Sequence, residues 1–192
     1  ITLFLIFILL PFIEMFYASL RPLDHLFRSP YQFYSDDLSF WAYREMWNTV
    51  PMLPRYIFNS FFLATTTSII TLLFVIPAAY SYARFSFPFK NTSLYVLLAI
   101  NMFSGAVLLI PLYKVLRTFG LLNTYQAMIV PGVAFLIPTA IWLLKSYFEK
   151  IPVDLEEAAF VDGASRVQIL RHIIAPLSTP GLVVVGIYAF IG

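Results

Sequence analysis

The chain reads as all-α, a polytopic bundle of transmembrane helices, and three observations predict it. Of its 192 residues, 60% are hydrophobic and 11% charged, with a mean hydropathy of +0.83. A soluble domain of this length needs far more polar surface. The apolar residues fall in runs of roughly 20, the length that crosses a bilayer core as a helix. Thirteen prolines sit in this apolar chain, and membrane helices tolerate proline better than soluble ones do. The net charge of +2 is too small to point to nucleic acid. The absence of cysteine excludes disulfides and thiolate metal sites.

The elements follow in order. Ile1 to about Leu20 is the first span, with Glu14 its only charge. The run is too long for a signal peptide and no A-x-A site follows it. Residues 21–55 form a loop of mixed charge, with Asp24, Asp36, Asp37 and Glu45 against Arg21, Arg28, Arg44 and Arg55. Within it Phe40, Tyr43, Met46 and Trp47 share a helical face, which predicts a short amphipathic helix at the membrane interface, where Trp41 and Trp47 are at home. Residues 56–192 form the core. The second span runs from Tyr56 to about Tyr82, with Thr65, Thr66, Thr67, Ser68 and Thr71 around its middle and Pro77 predicting a kink. Those hydroxyls serve either packing, bonding back to the previous turn or across to a neighbour, or the lining of a path, and packing is the simpler reading. The third span covers about Thr92 to Leu116, interrupted by Asn101, Ser104, Gly105 and Pro111; the fourth runs from Gln126 to Leu144, with Pro131 and Pro138 inside it. Pro180 opens a fifth run. The chain starts at Ile1 inside an apolar run and stops about twelve residues into the fifth, against the roughly 20 a span needs, so a fragment with four full spans and the start of a fifth is expected.

Between the fourth and fifth runs lies the stretch that gives the chain its character, DLEEAAFVDGASRVQILRHIIAP, from Asp154 to Pro176. Asp154 and Glu157 form a D-x-x-E pattern that predicts a capped helix start. Ala158 and Ala159 favour the helix, and Gly163 supplies the left-handed residue that ends it. Ser165 and Gln168 repeat the box for a second helix. Ile169, Leu170, Ile173 and Ile174 then share one face, Arg171 and His172 suit a C-terminus, and Pro176 is expected to stop the helix.

Glu157-Ala158-Ala159, Gly163, Ile173 and Pro176 at these spacings, with Asp162-Gly163-Ala164 inside, resemble the EAA loop of the membrane subunits of binding-protein-dependent ABC importers. Ala175 stands where that pattern usually has leucine. The likeness extends over nearly the whole chain. Asn59-Ser60, Ala79 to Phe85 followed by Phe87-Pro88, Ile110-Pro111-Leu112-Tyr113, Gly120 to Thr124 and Leu155 to Ala159 resemble the carbohydrate branch, in particular its second, maltose-permease-like subunit. The resemblance implies six spans in a complete core, a homologous second permease subunit, two cytoplasmic ATPase subunits and an extracytoplasmic solute-binding protein, all in a bacterial or archaeal cytoplasmic membrane. It makes 21–55 an external loop and 154–176 a cytoplasmic coupling loop docked on the ATPase. The coupling residues it implies are Glu156, Glu157, Ala158, Ala159, Asp162, Gly163, Ala164, Ile169, Ile173 and Pro176. Gly163 would set the corner, Glu157 would engage the ATPase, Ala158 and Ala159 would allow close approach, and Ile169 and Ile173 would pack on the bundle. Closure of the ATPase dimer would move the loop as a rigid body.

The chain has no G-x-x-x-x-G-K-[ST] loop to cradle phosphates, so no cofactor is expected on it; ATP and Mg belong to the partner. Charge leaves the orientation open: Arg21, Arg28, Arg44, Arg55, Lys114 and Arg117 on one side balance Arg84, Lys90, Lys145, Lys150, Arg166 and Arg171 on the other. An intramembrane enzyme would need a catalytic cluster, and His25 and His172 lie in distant loops. An ion-coupled carrier would bury several ionisable groups, and Glu14 alone is thin support. A permease for an amino acid, peptide or polyol is the remaining alternative. The sequence names neither the solute nor the residues that touch it.

Overall fold

In the computed structural model the chain is described at residues 2–22, 38–103 and 105–192, the side chains of residues 2, 3 and 106 apart. Asp24, His25, Arg28, Asp36, Asp37 and Ser104 lie outside these residues. The chain divides into two units, Ile1–Phe58 and Asn59–Gly192.

The first unit holds α1 (Thr2–Ser19) and α2 (Trp41–Thr49). The α1 surface is apolar, with Phe4, Phe7, Phe12 and Ile13 all more than half exposed, which suits lipid rather than water. Glu14 is not alone: its carboxylate lies 3.6 Å from the Arg21 guanidinium, which also stacks 4.4 Å over the Tyr17 ring. The Ser19 and Tyr43 hydroxyls, 2.7 Å apart, join the end of α1 to α2.

The long helix α3 (Leu53–Arg84) enters the second unit and runs unbroken through Pro77. It is followed by α4 (Lys90–Ile100), α5 (Gly105–Thr118), α6 (Gln126–Phe148) and α7 (Asp154–Val161). Then come α8 (Arg166–Leu177) and α9 (Thr179–Ile191), bent by 84° from one another. Helix α6 is central, packing against both α9 and α4. Close approach is built from small residues. A Cβ on Gly181 of α9 would fall 2.5 Å from the Tyr147 ring, and one on Gly132 would fall 3.3 Å from the Thr67 methyl. Of the α3 hydroxyls, Ser68 bonds back to the Ala64 carbonyl at 2.7 Å, while Thr71 is fully buried and its hydroxyl, like that of Thr65, has no hydrogen-bond partner among the described residues.

Helices occupy all five predicted apolar runs, but among the described residues only α3 and α6 are long and apolar enough to cross a membrane singly. The bent pair α8–α9 makes a third only if counted as one span. The predicted third span is not continuous. It divides at Asn101–Phe103 into helices of 11 and 14 residues. Asn101, just past the end of α4, donates its side-chain amide to Thr139 of α6 at 2.8 Å, and the backbone there tightens into three-residue turns, with the Asn101 amide on the Leu98 carbonyl and the Met102 amide on that of Ala99.

The core of this unit runs along α6 and α9 and continues into the polar loop. Ala79 and Tyr80 of α3, Leu144 and Phe148 of α6, Ile151, Ala159 of α7, and Ile169 and Ile174 of α8 are all buried in it. The polar loop is therefore packed into the bundle end and held there by its own apolar residues.

Candidate functional site

Residues 154–176 fold as a helix, a glycine corner and a second helix. Asp154 is the first residue of α7, not its cap; that position falls to Val153, with no side-chain hydrogen bond. The D-x-x-E box is thus absent, because the backbone of Val153 is already helical and an N-cap side chain needs an extended residue to reach back. Asp154, Glu156 and Glu157 still place three carboxylates in the first turn, where the helix dipole favours them.

The end of α7 is a complete Schellman motif. The Gly163 amide bonds the Phe160 carbonyl at 3.0 Å and the Ala164 amide reaches back to Ala159 at 2.9 Å. Gly163 sits at φ +84, a region a side chain enters only at a cost. Ser165 then opens α8 with a full capping box: the Gln168 amide donates to Ser165 Oγ at 3.4 Å and the Ser165 amide to Gln168 Oε1 at 2.8 Å. Pro176 does not stop this helix. It lies one residue before the end at Leu177, and Leu170–Ile174 widens ahead of it into a π turn in which the Ala175 amide bonds the Leu170 carbonyl. Proline has no N–H for the carbonyl four residues back and crowds it, so a wider turn relieves the clash.

The corner has two sides. Glu157, Ala158, Asp162 and Gly163 are exposed, and a Cβ built on Gly163 meets nothing within 4 Å. Beside them Val161 and Val167 are 89% and 75% exposed. Ala159 and Ile169 are buried, and Ala164 and Ile173 are partly so, packed on the core. Pro176 is exposed. Glu156 departs from the outward role expected of it. It is 3% exposed and its carboxylate points into the bundle, accepting from Arg84 Nε through one oxygen and from the Tyr80 hydroxyl, at 2.6 Å, through the other. The Arg84 guanidinium also donates to the Ile151 carbonyl at 2.8 Å. Arg166 of α8 stacks over both Phe85 and Phe160, 4.7 and 4.8 Å from the ring centroids.

Sequence reasoning missed Arg84, Tyr80 and Arg166 as members of this site. The signal was present: Arg84 ends an apolar span in a connection that contains no acid, and a cation there needs a carboxylate from elsewhere. The exposed Val161 and Val167 were missed too, because apolar residues within a membrane chain attract no notice.

A bundle of apolar helices holding one capped polar corner at its end defines an integral membrane protein. The chain belongs to the family of binding-protein-dependent transport system inner membrane components, which matches residues 1–192. It is 33% identical over 183 residues to the sulfoquinovosyl glycerol transport system permease protein SmoH of Agrobacterium fabrum, covering 95% of this chain and 64% of that one. It is 35% identical over 183 residues to the trehalose/maltose transport system permease protein MalG of Thermococcus litoralis, covering 95% and 66%. A third relative, the trehalose transport system permease protein SugB of Mycobacterium tuberculosis, is 34% identical over 183 residues, with 95% and 66% covered. The chain thus spans just under two thirds of the length of these relatives. The same fold occurs in the crystal structure of a bacterial ABC transporter involved in the import of the acidic polysaccharide alginate, with a TM-score of 0.70, 23% identity, and 99% of this chain and 66% of that one covered.

Proposed function

We propose that this chain is a membrane-spanning permease subunit of an ATP-driven sugar importer, multi-pass in a bacterial or archaeal cytoplasmic membrane. It forms half of a translocation path with a homologous second permease subunit. An extracytoplasmic binding protein delivers the solute, and two cytoplasmic ATPase subunits bind ATP and Mg and hydrolyse the nucleotide. The observation that carries this reading is the two-sided corner: a buried side built into the bundle, and an open side of Glu157, Ala158, Asp162, Gly163, Val161 and Val167. Valines this exposed beside a carboxylate and a bare glycine suit a protein partner that supplies cations and apolar surface. The corner is the docking element, and no phosphate-cradling loop occurs in the chain to act in the ATPase's place. Sugar as the solute is supported by its relatives, which are named for the transport of sulfoquinovosyl glycerol, trehalose/maltose and trehalose.

The test is uptake by the complete protein in cells. Import should require ATP and continue when the proton gradient is collapsed while ATP is maintained. Loss of import on collapse with ATP intact would favour an ion-coupled carrier instead.

A further inference from the structure

The Glu156 side chain does something a docking residue cannot do: it faces away from any partner and holds two residues of another helix. Helix α7 is eight residues long and is joined by the chain only to α6 and α8. Its tie to α3 is purely non-covalent, reaching 72 residues back to Arg84 and 76 back to Tyr80. Apolar contacts such as Ala159 against the core resist separation but resist sliding weakly, since dispersion has no direction. A carboxylate held at both oxygens has direction, and a guanidinium has a fixed fork of donors. Arg84 uses that fork on Glu156 and on the Ile151 carbonyl together, and so grips α7 and the segment leading into it. The pair is almost dry, with the side chains 8% and 4% exposed, so water offers little competition. Arg166 adds a second tie, from α8 to Phe85 just beyond α3 and to Phe160 of α7.

We infer that Arg84, Glu156 and Tyr80 are positioning residues that make the docking corner and the end of α3 one rigid body, so that a push on the corner reaches the longest helix of the chain. The inference rests on the proposed importer function, for which it supplies the route from the ATPase to the spans. It assigns Glu157 and Glu156, adjacent in sequence, opposite duties: the first outward to the partner, the second inward to α3.

The test uses the complete protein purified with its ATPase and second permease subunit, the other cysteines of the complex having been removed. Residues 1–192 contain no cysteine, so Leu73→Cys on the exposed side of α3 and Asp154→Cys at the start of α7 give a defined pair for spin labels. Their distance is measured without nucleotide and after trapping with ATP and vanadate. The expected result is a distance that stays within about 2 Å between the two states, the size of ordinary helix shifts, while Arg84→Lys makes it shift or broaden on trapping. Lysine keeps the charge but cannot serve Glu156 and Ile151 together. Should that variant not accumulate, Glu156→Gln takes its place, with the same criteria. A wild-type distance that changes with nucleotide, or a variant indistinguishable from wild type, overturns the linkage. A preparation that contains no ATPase chain overturns the proposed function instead, and is recognised before any label is attached.

Discussion

Glu156 and Gly163 show how differently two residues of one short loop are constrained. Removing the Glu156 carboxylate leaves the Arg84 guanidinium almost buried, with the Ile151 carbonyl its one remaining hydrogen-bond partner among the described residues. Breaking a buried pair from one side costs about 3–5 kcal/mol. Glu156→Ala should therefore lower the thermal unfolding midpoint in detergent clearly, while Glu157→Ala, on the exposed side, leaves it unchanged. Gly163 is held by conformation alone, since its φ is +84 and a Cβ there would meet nothing. Gly163→Asn, which tolerates that region, should retain near-normal ATP-driven uptake. Gly163→Val, strained by more than about 1 kcal/mol, should insert normally but uncouple hydrolysis from uptake. Equal uptake in the two variants at equal complex yield would remove the corner from the account. Both residues could be read in the sequence as belonging to the loop. Only Gly163 could be given its role there, because a left-handed turn is a local property and the partners of Glu156 lie 72 and 76 residues away.

The helices show the same division between local and distant causes. The second capping box was legible, since Ser165 and Gln168 need nothing beyond their own turn. The first box is absent because the backbone of Val153 is already helical, which the D-x-x-E pattern does not contain. The π turn before Pro176 escaped notice for a related reason: a proline signals trouble for a helix but not whether it stops or widens. The division of the third span at Asn101 was half legible, as a polar patch, but the Thr139 hydroxyl that Asn101 bonds belongs to another helix. Helix contacts yield a further prediction. A methyl on Gly181 would fall 2.5 Å from the Tyr147 ring, so Gly181→Ala must push α9 off α6, at about 1–3 kcal/mol. Faster amide exchange along Thr179–Ile191 in that variant would register it; unchanged exchange would mean that Tyr147 moves aside freely.

The second unit carries its core into the inner side of the loop and leaves the loop's outer side exposed. That arrangement suits a chain that receives motion from one partner and passes it to its spans. In the proposed function the apolar part of the docking surface is Val161 and Val167, both exposed, and Val161→Lys should reduce the amount of ATPase retained on the permease without altering membrane insertion, as read from subunit stoichiometry after purification. The composition announced a membrane bundle, and the loop spacing announced its family. The solute could not be read in the same way, since the many aromatic residues that could stack on a sugar serve equally for lipid and helix contact.

The most direct test of the central claim is purification of the complete protein from its native membrane in mild detergent, with every co-purifying chain identified by mass. The account predicts an ATPase with a phosphate-binding loop and a second permease subunit, with the ATPase reduced or lost when Val161 is changed to lysine. A protein that purifies alone or as a homo-oligomer, under conditions that keep other transporter complexes together, would contradict it and leave residues 154–176 as a connector between spans.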